Sequence, residues 1–310
     1  MSHAVETEGL GRSFGSRAAL DDVSLAVREG EMFGLLGPNG SGKTTLFRIL
    51  STLLPPTAGS ARVGGHDVMR SPMEVRHHLG VVFQSPALDP QLTVAENLRC
   101  AGQLYGLSGA DLEQRLRAAA EALEVVDRLD DRVQTLSGGL QRRVEVAKSL
   151  LPRPRVLLLD EPSTGLDPAA RAGLRSALGK LRRETGVTIV MTTHLLDEAE
   201  ACDRVAILHR GRLIACETPA SLRGRLGRDV AVLTGGDPAA LAAKVRARFD
   251  WDVAVRNGGV RVEIPGGPEK AAELVAALAG AAETVMIGRP TLEDVFLGLT
   301  GEPWRGEDGG

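Results

Sequence analysis

One segment, Gly37–Thr45, restricts the possible folds of this chain more than any other part of its sequence. It reads Gly-Pro-Asn-Gly-Ser-Gly-Lys-Thr-Thr and fits the pattern G-x-x-x-x-G-K-[ST], with Gly37, Gly42, Lys43 and Thr44 at the fixed positions. Glycines let the backbone close around an anion, and a following helix N-terminus adds N–H groups and a partial positive charge. The pattern therefore predicts a strand–loop–helix unit that binds phosphate.

The sequences on either side of this loop support that prediction. Residues 31–36 form a short apolar run of the kind found in buried strands. Apolar residues at helical spacing follow the loop, namely Leu46, Ile49, Leu50 and Leu53. In this pattern Lys43 contacts the β- and γ-phosphates, and the hydroxyl of Thr44 ligates Mg²⁺. The structural alternative is a glycine-rich turn before an ordinary helix.

The composition is that of an ordinary globular protein. With 310 residues, the chain has room for one large domain and one small domain. Its formal net charge of -3 gives no indication of nucleic-acid binding, and no apolar run approaches the roughly 18 residues of a membrane span. The N-terminus lacks the apolar core of a signal peptide. The cysteines Cys100, Cys202 and Cys216 are scattered, which predicts neither a disulfide framework nor a metal site and fits a reducing cytosol.

Ring side chains in the first part of the chain allow more than one interpretation. Residues 5–35 contain alternating apolar and polar positions and predict β-strands. Phe14 in this region is either a core residue or a platform on which an adenine ring stacks. His66, His77 and His78 lack the sequence spacing of metal ligands, and we interpret them as surface or satisfied core residues.

Residues 85–152 differ in pattern from the sequence before them. The predicted strand Val81–Phe83 ends on Gln84, whose carboxamide can ligate Mg²⁺ or position water while the next loop moves. On spacing alone, Gln84 is simply a polar residue at a strand end. The following sequence predicts helices, with one apolar face formed by Leu112, Leu116, Ala119 and Leu123. We therefore predict a helical subdomain over about residues 85–152.

A second glycine-rich segment, Leu136–Gly139, lies near the end of this subdomain and starts a helix. Ser137 is a good N-cap, and the glycines permit close approach of another group to the backbone. A helix start presents N–H groups and a partial positive charge to an anion. An ordinary capped helix has the same residues, so both interpretations stay open at this point.

The apolar run Val156–Leu159 is followed by two carboxylates, Asp160 and Glu161. Strands covered by helices on both faces have this pattern, and ligands collect at the carboxyl ends of such strands. Asp160 is predicted to hold Mg²⁺, directly or through water, and Glu161 to orient and partly deprotonate an attacking water. Charged residues that merely end a core strand are the alternative, but the phosphate loop in the same chain favours the catalytic interpretation.

Two further segments belong to the same pattern. Thr164–Asp167 precedes a predicted helix, and the predicted strand Val187–Thr193 leads directly to His194. An imidazole at the carboxyl end of a strand can donate a hydrogen bond to a γ-phosphate, although a single histidine is more often structural. Arg204–Glu217 has the pattern of a β-hairpin.

Together, these segments resemble the nucleotide-binding subunit of ATP-binding cassette (ABC) transporters over roughly residues 5–225. The motifs that carry the resemblance are the Walker A loop Gly37–Thr44, Gln84, the signature Leu136–Gln141, the Walker B pair Asp160-Glu161, the D-loop ending at Asp167, and His194. The resemblance implies an α/β P-loop ATPase core with an α-helical subdomain, and ATP and Mg²⁺ as cofactors. Catalytic roles are implied for Glu161, His194 and Gln84. Metal ligation is implied for Thr44, Gln84 and Asp160. Nucleotide contacts are implied for Phe14, Gly37, Asn39, Gly40, Gly42, Lys43, Thr44, Thr45, Ser137, Gly138, Gly139 and Asp167.

The resemblance also implies a head-to-tail homodimer, in which ATP lies between the Walker A loop of one subunit and the signature of the other. ATP binding then joins the subunits, and hydrolysis separates them. Gln84 and residues 85–105 would pass this motion to a separate multi-span permease at the cytoplasmic face of the membrane. Many members have Gln where this chain has Leu140. Because leucine has no hydrogen-bonding group, no side-chain hydrogen bond to the nucleotide is expected there.

A second, smaller domain is predicted after the cassette domain of residues 1–222. Residues 223–228 are predicted to be a linker. Residues 229–302 contain strands and helices in the order β-α-β-β-α-β, which predicts a ferredoxin-like α+β domain. Its hairpin turn is predicted at Asn257-Gly258-Gly259, and residues 303–310 are predicted to be a disordered tail.

The last predicted helix, Thr291–Leu299, reads Thr-Leu-Glu-Asp-Val-Phe-Leu-Gly-Leu. This ending resembles that of ATPases of the daunorubicin-resistance type of drug exporter, whose membrane partners are separate polypeptides. No catalytic set of residues is visible in the C-terminal sequence. We interpret this domain as a dimer-stabilising or docking module rather than a ligand sensor.

The sequence therefore predicts the ATP-hydrolysing subunit of an exporter for a drug, an antibiotic or a lipid-like compound, with no nucleic-acid partner. Two other functions stay open. A cassette ATPase that acts on DNA or ribosomes usually has two cassettes or coiled-coil or zinc insertions, which this sequence lacks. An import subunit has a similar surface for its membrane partner, and the C-terminal ending argues only moderately against it. The transported molecule would contact the permease, so this sequence does not define it.

Overall fold

The fold is taken from a computed structural model, which describes residues 3–226, 228–256, 258–278 and 280–304. The chain divides into two compact units, the first ending at Thr218 and the second spanning Pro219–Trp304. The division lies four residues before the predicted residue 222, because the helix Pro219–Gly224 belongs to the second unit and extends into the predicted linker. Asn257 and the predicted tail from residue 305 onward lie outside the described residues.

The first unit combines two sheets with helices. Its strands are β1 His3–Phe14, β2 Arg17–Arg28, β3 Met32–Leu36, β4 Ala58–Val63, β5 His66–Asp67, β6 Leu79–Val82, β7 Val156–Asp160, β8 Thr188–Thr193, β9 Arg204–His209 and β10 Arg212–Glu217. Its α-helices are α1 Lys43–Leu50, α2 Pro72–His78, α3 Val94–Leu104, α4 Gly109–Ala122, α5 Gly138–Leu150, α6 Pro168–Thr185 and α7 Leu196–Glu200. None of the described helices is both long and apolar enough to cross a membrane.

An antiparallel sheet in the order β2-β1-β4-β5 contains the N-terminal strands. The predicted β-structure of residues 5–35 is confirmed. Val23, Leu25 and Val27 of β2 are buried, whereas Ser24 between them is exposed. This alternation follows from the two-residue period of a strand with one face on the core.

The second sheet has the order β10-β9-β3-β8-β7-β6, and its neighbouring strands are parallel except for the β9–β10 hairpin. Every residue of β3, β7 and β8 is buried, as expected for parallel strands covered on both faces. Leu36 pairs with Thr193, and Asp160 pairs with Thr192. This register brings the ends of the three strands, and the segments that follow them, to one edge of the sheet.

Helices α3, α4 and α5 occupy most of the segment predicted to be helical, although residues 85–93 form a loop. The predicted apolar face is confirmed, because Leu112, Leu116, Ala119 and Leu123 are all buried. A capping box formed by Thr93 and Glu96 begins α3, and Ser137 caps α5 through its hydroxyl group.

The second unit has a four-stranded antiparallel sheet of its own, in the order β12-β13-β11-β14. Its elements are α8 Pro219–Gly224, β11 Arg228–Thr234, α9 Pro238–Arg248, β12 Val253–Arg256, β13 Gly259–Pro265, α10 Gly267–Ala277, β14 Thr284–Gly288 and α11 Leu292–Thr300. Apolar side chains of this sheet and of α9 and α10 form a separate hydrophobic core. From β11 to α11 the order of strands and helices is the one predicted from the sequence, whereas α8 was not predicted.

Candidate active site

The loop between β3 and α1 adopts a backbone conformation that its glycines allow. Gly40 and Gly42 have φ angles of +78° and +110°, which residues with a Cβ atom rarely adopt. A Cβ at Gly37 would clash with the carbonyl oxygen of Leu208, and one at Gly42 would lie 2.6 Å from that of Ala19. Conformation and space therefore both favour glycine in this loop.

Helix α1 begins as an anion cradle. Among the described residues no side chain caps it, and its first turn contains no acidic residue. The amide of Leu46 donates to the carbonyl oxygen of Gly42, so the amides of Lys43, Thr44 and Thr45 precede the first hydrogen bond of the helix. An uncapped helix start beside a glycine loop suits the phosphates of a nucleotide.

Lys43 is buried, and its amino group has both carbonyl and carboxylate partners. Nζ donates to the carbonyl oxygens of Gly37 at 2.7 Å and Pro38 at 3.3 Å, and it lies 3.3 Å from Oε1 of Glu161. Burial lowers the pKa of Lys43, and the carboxylates of Glu161 and Asp160 oppose that change. The ammonium group is therefore placed to exchange one anionic partner for another at the loop.

Asp160 is buried at the end of β7, where Thr192 of β8 holds it. The Thr192 hydroxyl donates to Oδ1 of Asp160 at 2.7 Å and accepts from the Glu161 amide at 2.8 Å. Burial raises the pKa of Asp160, the hydrogen bond from Thr192 lowers it, and the Glu161 charge raises it further. A cation beside Asp160 would offset the cost of keeping this buried carboxylate charged. Asp160 is therefore suited to act as a metal ligand.

Glu161 lies between two basic side chains. Oε1 is 3.3 Å from Nζ of Lys43, Oε2 is 3.3 Å from Nδ1 of His194, and Thr164 donates to Oε2 at 3.3 Å. Contact with His194 lowers the pKa of Glu161 to about 2, with a further contribution from Lys43 and against the effect of burial. The residue has a φ of +47°, an uncommon conformation that the bond from its amide to Thr192 supports. The result is an ionised carboxylate at the phosphate loop.

The remaining predicted residues of this half of the site are accessible. Thr44, Asn39 and Gly40 are exposed around the helix start. Gln84 is exposed in the loop after β6. The ring of Phe14 is 49% exposed, which excludes the core interpretation, and the guanidinium carbon of Arg12 lies 4.7 Å from its centroid.

The signature lies at the start of α5, and the D-loop ends at the start of α6. Ser137 and Gly138 are exposed at the start of α5, and a Cβ at Gly139 would lie only 2.8 Å from the Cβ of Ala170 in α6. Asp167 is an exposed N-cap that accepts from the Ala170 amide at 2.9 Å. In the described part of the chain, no hydrogen bond or ion pair joins these residues to the phosphate loop. Among the described residues, the two halves of the predicted site are thus not joined by hydrogen bonds or ion pairs within one copy.

Two buried residues that contact the site have no recognisable motif. Thr192 is one of them, and Arg142 in α5 is the other. Arg142 donates to the carbonyl oxygens of Phe83, Pro162 and Glu161 at 2.8, 2.8 and 3.2 Å, respectively. It thus links α5 to the residue before Gln84 and to the backbone of Glu161. An arginine after a helix start normally indicates a solvated face, so only the tertiary structure identifies this one.

A glycine loop, two carboxylates and a histidine at the carboxyl edge of a parallel sheet, with an inserted helical segment, define an ATP-binding cassette ATPase. A family model described as "ABC transporter" matches residues 20–164. The chain is 33% identical to the linearmycin resistance ATP-binding protein LnrL of Bacillus subtilis (strain 168), over 97% of this chain and 99% of that protein. It is 38% identical to the daunorubicin resistance ATP-binding protein DrrA3 of Streptomyces coeruleorubidus, over 97% of each protein.

Solved structures show the same fold. CbiO1 from Clostridium perfringens, part of the ABC transporter complex cbiONQ, matches with a TM-score of 0.68 and 26% identity, over 80% of this chain and 96% of that one. The ATP-binding cassette MJ0796, in a dimeric post-hydrolysis state bound to ADP and Pi, matches with a TM-score of 0.61 and 29% identity, over 69% and 98%. The chain therefore belongs to the ATP-binding proteins of the ABC transporter family. It is an ABC ATPase, and the predicted resemblance to the drug-resistance type is confirmed.

Proposed function

We propose that this protein is the ATP-hydrolysing subunit of an exporter that works as a homodimer with a separate membrane permease. The observation that carries the proposal is the similarity to two resistance ATP-binding proteins over 97% of the chain, which includes the C-terminal unit. Those relatives are named for resistance to two different antibiotics, so the exported compound is a drug, an antibiotic or a lipid-like molecule. The site of action is the cytoplasmic face of the membrane, where the chain binds peripherally through the permease.

The first unit binds ATP and Mg²⁺ through the residues around α1. The exposed ring of Phe14 stacks on adenine, and the loop from Gly37 to Thr45 surrounds the phosphates. The Thr44 hydroxyl, Gln84 and Asp160 would hold Mg²⁺, which would neutralise phosphate charge during the transfer. The uncapped start of α1 and the burial of Asp160 support this assignment.

Lys43 and Glu161 exchange partners when the nucleotide binds. Lys43 lies against Glu161 and moves its ammonium group to the β- and γ-phosphate oxygens, which are stronger acceptors. Loss of this ion pair raises the pKa of Glu161 from its depressed value, because the paired cation no longer favours the charged form. Glu161 then accepts a proton from the water that attacks the γ-phosphate, while His194 donates a hydrogen bond to the phosphoryl oxygen and ADP leaves.

Two copies of the chain complete each site. Ser137, Gly138 and Gly139 of one subunit face the γ-phosphate held by the other, and Asp167 lies beside it. Their exposure, together with their separation from the phosphate loop within one copy, supports this arrangement. The similarity to MJ0796, whose structure is described as dimeric, adds to that support.

Coupling to the permease runs through the helical segment. Arg142 joins α5 to the carbonyl oxygens of Phe83 and Glu161, so a change at the carboxylate reaches the loop that contains Gln84. Large apolar side chains are exposed at the end of α3, where Leu104 is 90% and Tyr105 is 52% accessible. Exposed apolar side chains of this kind suit contact with a partner protein.

The C-terminal unit is a ferredoxin-like module that stabilises the dimer or the docked complex. Its element order β-α-β-β-α-β and its sheet order β12-β13-β11-β14 support that classification. The division near residues 218–222 is proposed as the boundary between two domains that fold around separate cores.

The proposal is tested by purifying the tagged chain from detergent-solubilised membranes of its own host and identifying the polypeptides that accompany it. We expect a hydrophobic multi-span partner that stimulates ATP hydrolysis when both proteins are reconstituted in lipid. Recovery only in the soluble fraction, with ribosomes or nucleic acid attached, would retain the ATPase chemistry and contradict the exporter function.

The shared site is tested separately by mixing two inactive variants. Lys43→Ala removes the phosphate contact of one half, and Ser137→Ala removes the signature contact of the other. A mixed dimer keeps one intact site, so random mixing restores about a quarter of the wild-type ATPase rate if each site works independently. Each variant alone is the control. No recovery in mixtures shown to contain mixed dimers would contradict a site shared between independent subunits.

A further inference from the structure

Three potential metal ligands meet in the first unit, away from the proposed ATP site. They are His66 in β5 and Glu74 and His78 in α2, whose ligand atoms all lie within 4.8 Å of one another. Both histidines are partly buried, and Glu74 is exposed. The sequence interpretation missed this group because its members come from separate elements. The fold brings them together.

Helix α2 supplies two of the ligands on one face. Glu74 and His78 are four residues apart, a spacing that places their side chains beside each other on a helix. His77, the next residue along the sequence, is directed elsewhere, because its Nδ1 contacts the carbonyl oxygen of Met73 at 2.8 Å. Of the two adjacent histidines in α2, only His78 therefore belongs to the group of potential ligands.

The hairpin between β4 and β5 fixes the third ligand. Val63 pairs with His66 across a two-residue turn, in which Gly64 and Gly65 have φ angles of +58° and +84°. Positive φ at both central residues is the geometry of a tight hairpin turn. A Cβ at Gly64 would lie 3.2–3.3 Å from the side chain of His78, so this glycine also makes room for the imidazole.

The two imidazole rings lie face to face. Their centroids are 5.1 Å apart with an interplanar angle of 19°. A metal ion binds in the plane of each ring, so ligation requires one ring to rotate about its side-chain bonds. In a tetrahedral zinc site, ligand atoms lie about 3.3 Å apart, given metal–nitrogen distances of about 2.0 Å. Rotation of one ring and movement of the exposed Glu74 side chain can bring the ligand atoms from their present separations, which are within 4.8 Å, to this shorter distance.

We propose that His66, Glu74 and His78 bind one divalent transition-metal ion of the zinc class. Two imidazole nitrogens and one carboxylate oxygen are a donor set that zinc accepts, with water in the fourth position. The Glu74 charge favours the cation, whereas Arg155, whose amide donates to the carbonyl oxygen of His78, opposes it.

A metal at this position would tie the β4–β5 hairpin to α2. Because α2 leads directly into β6 at Leu79, the ion would stabilise the strand that precedes Gln84. This role concerns the structure of the first unit and does not depend on ATP hydrolysis. It can be measured even if the proposed transport function is wrong.

The test is a titration of the nucleotide-free full-length chain with Zn²⁺, in competition with a chromophoric chelator and with excess Mg²⁺ present. We expect one equivalent of bound Zn²⁺. His66→Ala and His78→Ala should each weaken binding by more than about 100-fold, and Glu74→Gln by about 10-fold or more. His77→Ala is the matched control on the same helix, and Cys100→Ser controls for the exposed thiol. Both should bind Zn²⁺ as the wild type does.

A second readout separates this site from adventitious binding. Zn²⁺ should raise the thermal midpoint of the wild type and of His77→Ala but not of His66→Ala/His78→Ala. Bound Co²⁺ should show a visible spectrum without a thiolate band. The proposal is overturned if the double variant binds Zn²⁺ as tightly as the wild type, or if His77→Ala weakens binding as much as His66→Ala does.

Discussion

The two halves of the nucleotide site differ in how completely one chain builds them. Around the phosphate loop, Lys43, Asp160, Glu161 and His194 are buried, and the Glu161 carboxylate lies 3.3 Å from both Lys43 and His194. Around the signature, Ser137 is exposed and caps its own helix through a 3.4 Å contact to the Leu140 amide. The charged groups of the first half are already paired within one chain, whereas the second half is a capped helix start with an exposed serine. This difference is the one expected for the proposed site shared between two copies.

The largest effect is expected for Glu161→Gln, which tests the half of the site around the phosphate loop. The change keeps the shape of the side chain but removes the proton acceptor, so kcat for ATP hydrolysis should fall by about 10²–10⁴-fold. ATP binding should persist, because the amide removes a negative charge that competes for Lys43. Steady-state hydrolysis and equilibrium binding of labelled ATP measure the two effects. Hydrolysis at the wild-type rate would show that Glu161 is not the base.

The next effect tests the exposed half through Ser137→Ala. Loss of a donor to the γ-phosphate should lower the hydrolysis rate by about 10²-fold, with little change in ATP affinity for the monomer. The lost helix cap should cost about 1 kcal/mol of unfolding free energy. Ser108→Ala, at the exposed start of α4, is the matched control for a serine before a helix in the same segment. Equal hydrolysis by both variants would mean that Ser137 serves only as a cap.

Low pH should reduce the unfolding free energy of the protein through protonation of Glu161. Its folded pKa of about 2 lies below the ordinary value of 4.5, so the group contributes stability above pH 4.5 and loses it as the pH falls toward 2. The contribution is about 3 kcal/mol at neutral pH. Asp160 has a raised pKa and acts in the opposite direction, because protonation relieves its burial.

Urea unfolding at a series of pH values below 5 measures this contribution. The unfolding free energy of the wild type should fall more steeply with acid than that of Glu161→Gln. The variant Asp160→Asn is the control, and its acid dependence should be at least as steep as that of the wild type. Identical slopes for the wild type and Glu161→Gln would contradict the depressed pKa.

The same contrast separates what the sequence predicts from what it cannot. The phosphate loop and the Walker B strand are local patterns, since spacing and apolar runs encode them within a few residues. Thr192 and Arg142 have no such pattern, because their roles depend on the register of β7 with β8 and on the packing of α5. The histidine pair is hidden for the same reason. The first unit ends at Thr218 rather than at the predicted residue 222, because the short helix α8 belongs to the second unit. The arginine and glycine content of this segment indicates a linker and gives no sign of a helix.

The smallest effect should come from Thr192, which holds the Asp160 carboxylate and the Glu161 backbone amide in place. Thr192→Val preserves shape but leaves Oδ1 of Asp160 without its donor and the buried Glu161 amide without its acceptor. This should cost about 1–3 kcal/mol of unfolding free energy, whereas Thr192→Ser keeps the hydroxyl and should cost less than about 1.5 kcal/mol. The Mg²⁺ concentration for half-maximal hydrolysis should rise in Thr192→Val and stay unchanged in Thr192→Ser. An equal rise in both variants would assign the effect to packing, and no rise in either would show that Asp160 keeps its position without Thr192.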